Sequence, residues 1–132
     1  GRPLAMALID LDHFKQVNDQ YGHAVGDRVL QTFAQQARQA TRDADIVARW
    51  GGEEFLIVMP ETSADGAALL VERLREALSA VAVSDAVPAL RIAFSAGITA
   101  HRAGEHTDQT VHRADEALYE AKSAGRNRSV VA

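Results

Sequence analysis

The chain contains no cysteine. That absence rules out a disulfide framework, a thiolate zinc site and a cysteine nucleophile together, and it fits a reducing compartment. Nor is there an apolar run near the ~20 residues that a membrane-spanning helix needs. The opening Gly1-Arg2-Pro3-Leu4 lacks the charged-then-apolar layout of a secretory signal and reads as the cut edge of a longer protein. A cytoplasmic location, with no membrane contact by this domain, is the expectation. Positive charge is not in excess either: the net charge is −4, so nucleic acid is not expected as a partner. A small phosphorylated ligand stays compatible, because local cations and metal offset global charge. No internal repeat, low-complexity tract or linker interrupts the sequence.

What is present suits one globular domain spanning residues 1–132. Apolar residues make up 47% and charged residues 24% of the chain, ordinary proportions for a water-soluble core with a charged surface. A chain of this length buries roughly two-thirds of its unfolded surface. Leu4 to Ile9 is apolar on both faces and reads as a buried central strand. A short helical or irregular segment follows to Tyr21, and Gly22 to Asp27 reads as a turn. Val29, Leu30, Phe33, Ala34 and Ala37 then recur at helical spacing and predict a helix over about 26–40. Ile46–Trp50 and Phe55–Met59 predict two strands joined by a Gly51-Gly52 hairpin, where glycine would supply the positive φ of a tight turn. Pro60 stops the second strand, and Thr62 or Ser63 caps the next helix, which buries Ala67, Leu70, Val71, Leu74 and Leu78. Arg91–Thr99 reads as a strand broken near Gly97. A helix over about 108–123 follows, with Gly125 suited to its end, and Ser129-Val130-Val131 as an edge strand. The order β-α-α-β-β-α-β-α-β predicts an α/β fold: a mixed, mostly antiparallel central sheet flanked by helices.

Three constellations carry chemistry. Acids stand where strands end: Asp10 and Asp12 after the first strand, Glu53 and Glu54 at the hairpin. Brought together, they would offer the hard oxygen ligands that Mg²⁺ or Mn²⁺ prefers; solvated turns are also commonly acidic. Gly51 and Gly52 beside them would let a phosphate approach the backbone. Lys122 and Arg126 at a helix end would hold a phosphate tail, although the helix dipole alone favours cations there. Asn18, His23 and Asp27 form the third group. Asn and Asp together recognise guanine, the carboxylate accepting from its ring N–H and amine, while Asp27 equally suits a helix N-terminus.

In combination these motifs are specific. Arg49-Trp50-Gly51-Gly52-Glu53-Glu54-Phe55 resembles the signature hairpin of the GGDEF family in its Glu variant. Asp10-Leu11-Asp12-His13-Phe14-Lys15-Gln16-Val17-Asn18-Asp19 resembles its metal-and-substrate segment, Gly22-His23-Ala24-Val25-Gly26-Asp27 its following turn, and Asp115 to Asn127 its closing motif. Four motifs in the right order span nearly the whole chain.

The resemblance implies a nucleotidyl cyclase, polymerase-palm-like fold and a diguanylate cyclase that condenses two GTP molecules into cyclic di-GMP and two pyrophosphates. It implies a Mg²⁺ or Mn²⁺ site from Asp10, the Leu11 carbonyl, Glu53 and Glu54, with Glu53 also assisting deprotonation. Asn18, His23 and Asp27 would contact guanine and ribose. Gly51 and Gly52 would make room for the α-phosphate, and Lys122, Arg126 and the Phe14 and Lys15 amides would meet the terminal phosphates. Arg42-Asp43-Ala44-Asp45 matches an inhibitory Arg-x-x-Asp product site, with Arg73 as a further contact. Each domain would hold one GTP, so a homodimer is implied, as is an upstream sensor or receiver domain. The helix and segment that usually precede the first strand of the family are missing from this sequence. Two alternatives are a non-catalytic module that binds GTP or cyclic di-GMP and a plain dimerisation module. A cyclase of altered base specificity is a third, which Asp27 disfavours.

Overall fold

The computed structural model describes residues 2–132; the expected cut edge at Gly1 lies outside them. Nine elements follow in the order β1 (Leu4–Leu11), α1 (Phe14–Tyr21), α2 (His23–Ala40), β2 (Ile46–Gly51), β3 (Glu54–Pro60), α3 (Ala64–Ser79), β4 (Phe94–Ala100), α4 (Thr107–Ser123) and β5 (Ser129–Val131). One five-stranded sheet has the spatial order β2-β3-β1-β4-β5. The first three pairings are antiparallel and β4 with β5 is parallel, so the sheet is mixed and mostly antiparallel, as its sequence order implied. Among the described residues no helix is long and apolar enough to cross a membrane.

β1 takes the centre because it is apolar on both faces. Ala5, Ala7, Ile9 and Leu11 join a core with Val29, Phe33 and Ala37 of α2 and Val71, Leu74 and Leu78 of α3. Met6 and Leu8 face the other way and pack with Leu56, Ala114 and Leu118 under α4. Phe33 is fully buried and sets its ring 4.6 Å from that of Phe55 and 5.7 Å from that of Phe94. Strand periodicity therefore divides β1 between two cores, and the first residue to break the pattern is Asp10.

Several local expectations change. α2 begins at His23 rather than near residue 26: Gly22, at φ 90°, ends α1 and starts α2 without a side-chain cap. Asp27 therefore lies beyond the first turn, and its reading as a helix-terminal residue falls away. Gly51 and Gly52 are not in the left-handed region, so the hairpin does not need glycine for its backbone. β4 starts at Phe94, not Arg91, and runs unbroken through Gly97. A Cβ at Gly97 would lie 2.0 Å from the Ala114 carbonyl oxygen and 2.4 Å from the Leu118 nitrogen; the residue lets α4 lie against the sheet. Ser63 is the cap of α3, its side chain accepting from the Gly66 N–H at 3.1 Å. α4 ends in a Schellman motif, Arg126 N–H to Ala121 O (3.0 Å) and Gly125 N–H to Lys122 O (3.3 Å), with Gly125 at φ 121°.

Candidate active site

Sheet register brings the two acidic strand ends together. Asp10 of β1 lies directly opposite Glu54 of β3, and the Leu11 N–H donates to the Glu53 carbonyl at 3.2 Å. Residues directly opposite in an antiparallel pair share a face, with Cβ atoms about 5 Å apart, and like charges there are destabilising. The face is the one covered by α4, whose last full turn delivers Lys122. Its Nζ donates to Asp10 Oδ2 at 2.6 Å.

Electrostatics record the crowding. Burial pushes the Asp10 carboxyl above its usual range; the Lys122 ammonium opposes this, and Glu53 and Asp12 add to it. Burial likewise raises Glu54, with Asp10, Asp115 and Glu53 reinforcing the rise and Lys122 opposing it. The fold thus holds a concentration of negative charge that its own cations only partly relieve.

Asp10, Leu11, Phe14, Lys15, Glu53, Lys122 and Arg126 line one cleft of about 300 Å³. Its floor is the start of α1. His13 precedes that helix in the left-handed region, at φ 58°, and gives no side-chain cap, and Phe14, Lys15 and Gln16 of its first turn line the cleft. A helix N-terminus in this condition attracts anions. Glu54 lines a neighbouring hollow with Trp50, Asp108, His112 and Asp115 instead. Among the described residues no three carboxylate or imidazole groups form a ready-made cation cage. The donor set nevertheless suits a hard divalent cation: Asp10 and Glu53 bring carboxylates to one cleft, and the excess negative charge beside them is what such an ion would neutralise.

Asn18, His23 and Asp27 gather at the junction of α1 and α2. Asn18 is half-buried; His23 and Asp27 are exposed one turn apart on α2. A Cβ at Gly26 would sit 1.8 Å from Asn18 Oδ1, so glycine there makes the space that Asn18 fills. Gly51 and Gly52 front open space: a Cβ at Gly52 would meet nothing within 4 Å, and one at Gly51 only Glu54 Oε1 at 3.8 Å. Neither packing nor backbone conformation explains these two glycines.

The Arg42–Asp45 pair lies elsewhere and is internally satisfied. Arg42 Nη2 donates to Asp45 Oδ1 (3.0 Å), to Thr62 Oγ1 (2.9 Å) and to the Pro60 carbonyl, while its backbone N–H donates to Asp45 Oδ2 (2.8 Å). Arg73 is exposed on α3, and no hydrogen bond or ion pair among the described residues joins it to either.

Asp12, paired in sequence with Asp10, does something different. Its Oδ1 accepts from Ser95 Oγ at 2.7 Å and its Oδ2 from the Asn127 N–H at 2.9 Å. Spacing alone made it a twin of Asp10; β1 ends between them, at Leu11, and that ending separates their roles. Ser95 and Arg75 carry no signal in the sequence, because their partners Asp12, Asn127 and Ser129 lie far away along the chain.

A family model described as the diguanylate cyclase GGDEF domain matches residues 1–128. Diguanylate cyclase DgcP of Pseudomonas aeruginosa is 46% identical over 132 residues, covering all of this chain and 20% of that protein. The chain spans 20–36% of the length of curated relatives that it matches. Diguanylate cyclase SiaD of Pseudomonas aeruginosa, solved with its activator SiaC, superposes with a TM-score of 0.94 at 45% identity, covering 100% of this chain and 51% of that one. The GGDEF domain of DgcB from Caulobacter crescentus, solved in complex with c-di-GMP, gives 0.91 at 32% identity, with 98% and 77% covered. The chain belongs to the GGDEF domain family of diguanylate cyclases.

Proposed function

We propose that the protein carrying this domain joins two GTP molecules into cyclic di-GMP. In each half-reaction the 3′-hydroxyl of one GTP attacks the α-phosphorus of the other, an O–P bond forms, and pyrophosphate leaves. Two such steps close the ring and release two pyrophosphates. The observation that carries this reading is the single cleft shared by Asp10, Glu53, Lys122 and Arg126, four groups from distant parts of the chain that suit a metal-bound triphosphate.

Asp10 and Glu53, with the Leu11 carbonyl, would hold Mg²⁺ or Mn²⁺, and Glu54 would complete the set on rotation of its side chain. Bound there, the cation would stabilise charge on the phosphate and lower the pKa of the attacking hydroxyl. Glu53 is assigned the proton of that hydroxyl, in addition to its ligand role. Lys122 exchanges its ion pair with Asp10 for the terminal phosphates, where Arg126 and the first amides of α1, from Phe14 and Lys15, add donors. Asn18, His23 and Asp27 read guanine and ribose. The open space at Gly51 and Gly52 receives the α-phosphate region, which accounts for two glycines that the fold does not require.

One domain binds one GTP in this scheme, so the working species is a homodimer with two half-sites facing each other. Product bound at Arg42 and Asp45, with Arg73, would inhibit it; the cyclic di-GMP bound to the related DgcB domain supports recognition of this ligand class. The greater length of the relatives supports a regulatory domain elsewhere in the protein, and a GTP-consuming role places the domain in the cytoplasm. Incubation of the full-length protein with GTP and Mg²⁺ tests the reading: cyclic di-GMP and two equivalents of pyrophosphate are expected. GTP binding without product would instead favour a non-catalytic module.

A further inference from the structure

The segment between α4 and β5 holds three successive residues with positive φ: Gly125 at 121°, Arg126 at 64° and Asn127 at 46°. Glycine adopts this region freely and asparagine tolerates it. Arginine does so only at a cost, because its Cβ crowds the following carbonyl oxygen. Such a conformation persists only where neighbours enforce it.

Local bonds hold the Arg126 backbone, its N–H donating to the Ala121 carbonyl and its carbonyl accepting from Arg128 Nε, both at 3.0 Å; two further grips come from outside the segment and converge on Asn127. The Asn127 N–H is held by Asp12 Oδ2 (2.9 Å), and Asn127 Oδ1 accepts from Arg75 Nη1 (2.9 Å). Both grips are themselves anchored. Asp12 accepts through Oδ1 from Ser95, which is fully buried, and its N–H donates to the Ala93 carbonyl at 2.9 Å. Arg75 of α3 lies 4.2 Å over the Phe94 ring, donates to the Phe94 carbonyl, bonds Ser129 Oγ at 2.8 Å and pairs with Glu72 at 3.2 Å. Its side chain is 15% exposed. Asn127 is thus gripped from the end of β1 and from α3, while Arg126 just before it lines the cleft.

We propose that Arg75 and Asp12, acting through Asn127, are positioning residues that hold Arg126 in its left-handed conformation and so aim its guanidinium at the terminal phosphates of the nucleotide. Neither needs to touch substrate. This rests on the assignment of Arg126 to those phosphates. A long, exposed arginine held in an unfavourable backbone region by two anchored side chains is the arrangement expected if its direction matters. Closing α4 alone would need only the Schellman bonds already present.

A double-mutant cycle on nucleotide binding to the full-length protein separates this from a merely structural role. Affinities for GTP and for GMP are measured with Mg²⁺ for wild type, Arg126→Ala, Arg75→Lys and Asp12→Asn, and for each of the last two combined with Arg126→Ala. Loss of a charge-assisted contact should weaken GTP binding roughly tenfold or more in Arg126→Ala. Arg75→Lys and Asp12→Asn should each weaken GTP roughly fivefold, yet change it less than about twofold once Arg126 is gone. GMP, which lacks the terminal phosphates, should bind all variants alike. Equal losses with and without Arg126, or equal losses for GMP, would overturn the proposal. If thermal melting shows that Arg75→Lys or Asp12→Asn does not fold, Asn127→Gly carries the same cycle: it permits the left-handed backbone but removes the side chain that Arg75 holds. Absence of GTP binding by the wild type would remove both this inference and the cyclase reading. GTP binding that depends on Arg126 but is additive with the other variants would remove this inference alone.

Discussion

Gly97→Ala tests how the sheet positions the site. A Cβ at residue 97 would stand 2.0 Å from the Ala114 carbonyl oxygen and 2.4 Å from the Leu118 nitrogen. Both are backbone atoms of α4 and cannot rotate aside. Reaching ordinary contact beyond about 3.4 Å requires α4 to move outward by about 1.4 Å at that point. Overpacking of this kind typically costs about 1–3 kcal/mol, and for a domain of this size that lowers Tm by about 4–15 °C. The same shift carries Lys122 away from Asp10, now 2.6 Å apart, so GTP affinity should fall along with Tm. Gly52→Ala is the control. Its Cβ meets nothing within 4 Å and its φ is not positive, so Tm should stay within about 2 °C of wild type, while the proposed use of that space by the nucleotide predicts a fall in turnover. Scanning calorimetry and a GTP-binding titration on both variants settle the matter. An unchanged Tm in Gly97→Ala, or a large Tm loss in Gly52→Ala with full turnover, would refute the reasoning.

Further outcomes follow from the same charges. Burial and the facing carboxylates of Asp10 and Asp115 raise the Glu54 pKa, so the folded state binds this proton more tightly than the unfolded state does. Its stabilising effect is present in acid and is lost as pH rises through the folded pKa. Glu54→Gln should therefore raise Tm at neutral pH, with the gap closing below its ordinary pKa of 4.5; a lower Tm at pH 7 would contradict this. Glu105 behaves oppositely. The Arg113 guanidinium, with the Arg102 N–H and the Thr110 hydroxyl, lowers it to about 2, and His101 lies 3.8 Å away. Its contribution is present above the ordinary value of 4.5 and lost as pH falls toward 2, so urea denaturation of wild type and Glu105→Gln should converge across that window. A pH-independent difference would exclude this role. Arg42→Ala should keep turnover in the absence of product and raise the cyclic di-GMP concentration needed for inhibition, measured by pyrophosphate release; unchanged inhibition would remove the product site.

Elements with a continuous or periodic apolar signal were legible from the sequence: β1 and β3 emerge where their apolar runs place them and α3 where its apolar spacing does. Errors arose where geometry replaced periodicity. The apolar Ile92 and Phe94 continue a strand pattern that the hydrogen-bond ladder takes up only at Phe94, and the start of α2 carries no capping side chain to announce it. Gly97 looked like a breaker because a close helix contact leaves no other mark in a sequence. Of the candidate site, Asp10 and Glu53 were legible because each interrupts an apolar pattern at a strand end. The Arg75–Asn127–Asp12 grip was not, since every member is an ordinary polar residue until three distant segments meet.

The proposed cyclase activity depends on Asp10 and Glu53, which share one cleft, holding a divalent cation beside the phosphates of GTP. The direct measurement is cyclic di-GMP formation from GTP by the full-length protein across a Mg²⁺ titration, for wild type, Asp10→Ala and Glu53→Ala, each shown to be folded by circular dichroism. Saturable, Mg²⁺-dependent product from the wild type alone is expected. Product from the wild type without divalent metal, or undiminished product from either folded variant, would contradict the account.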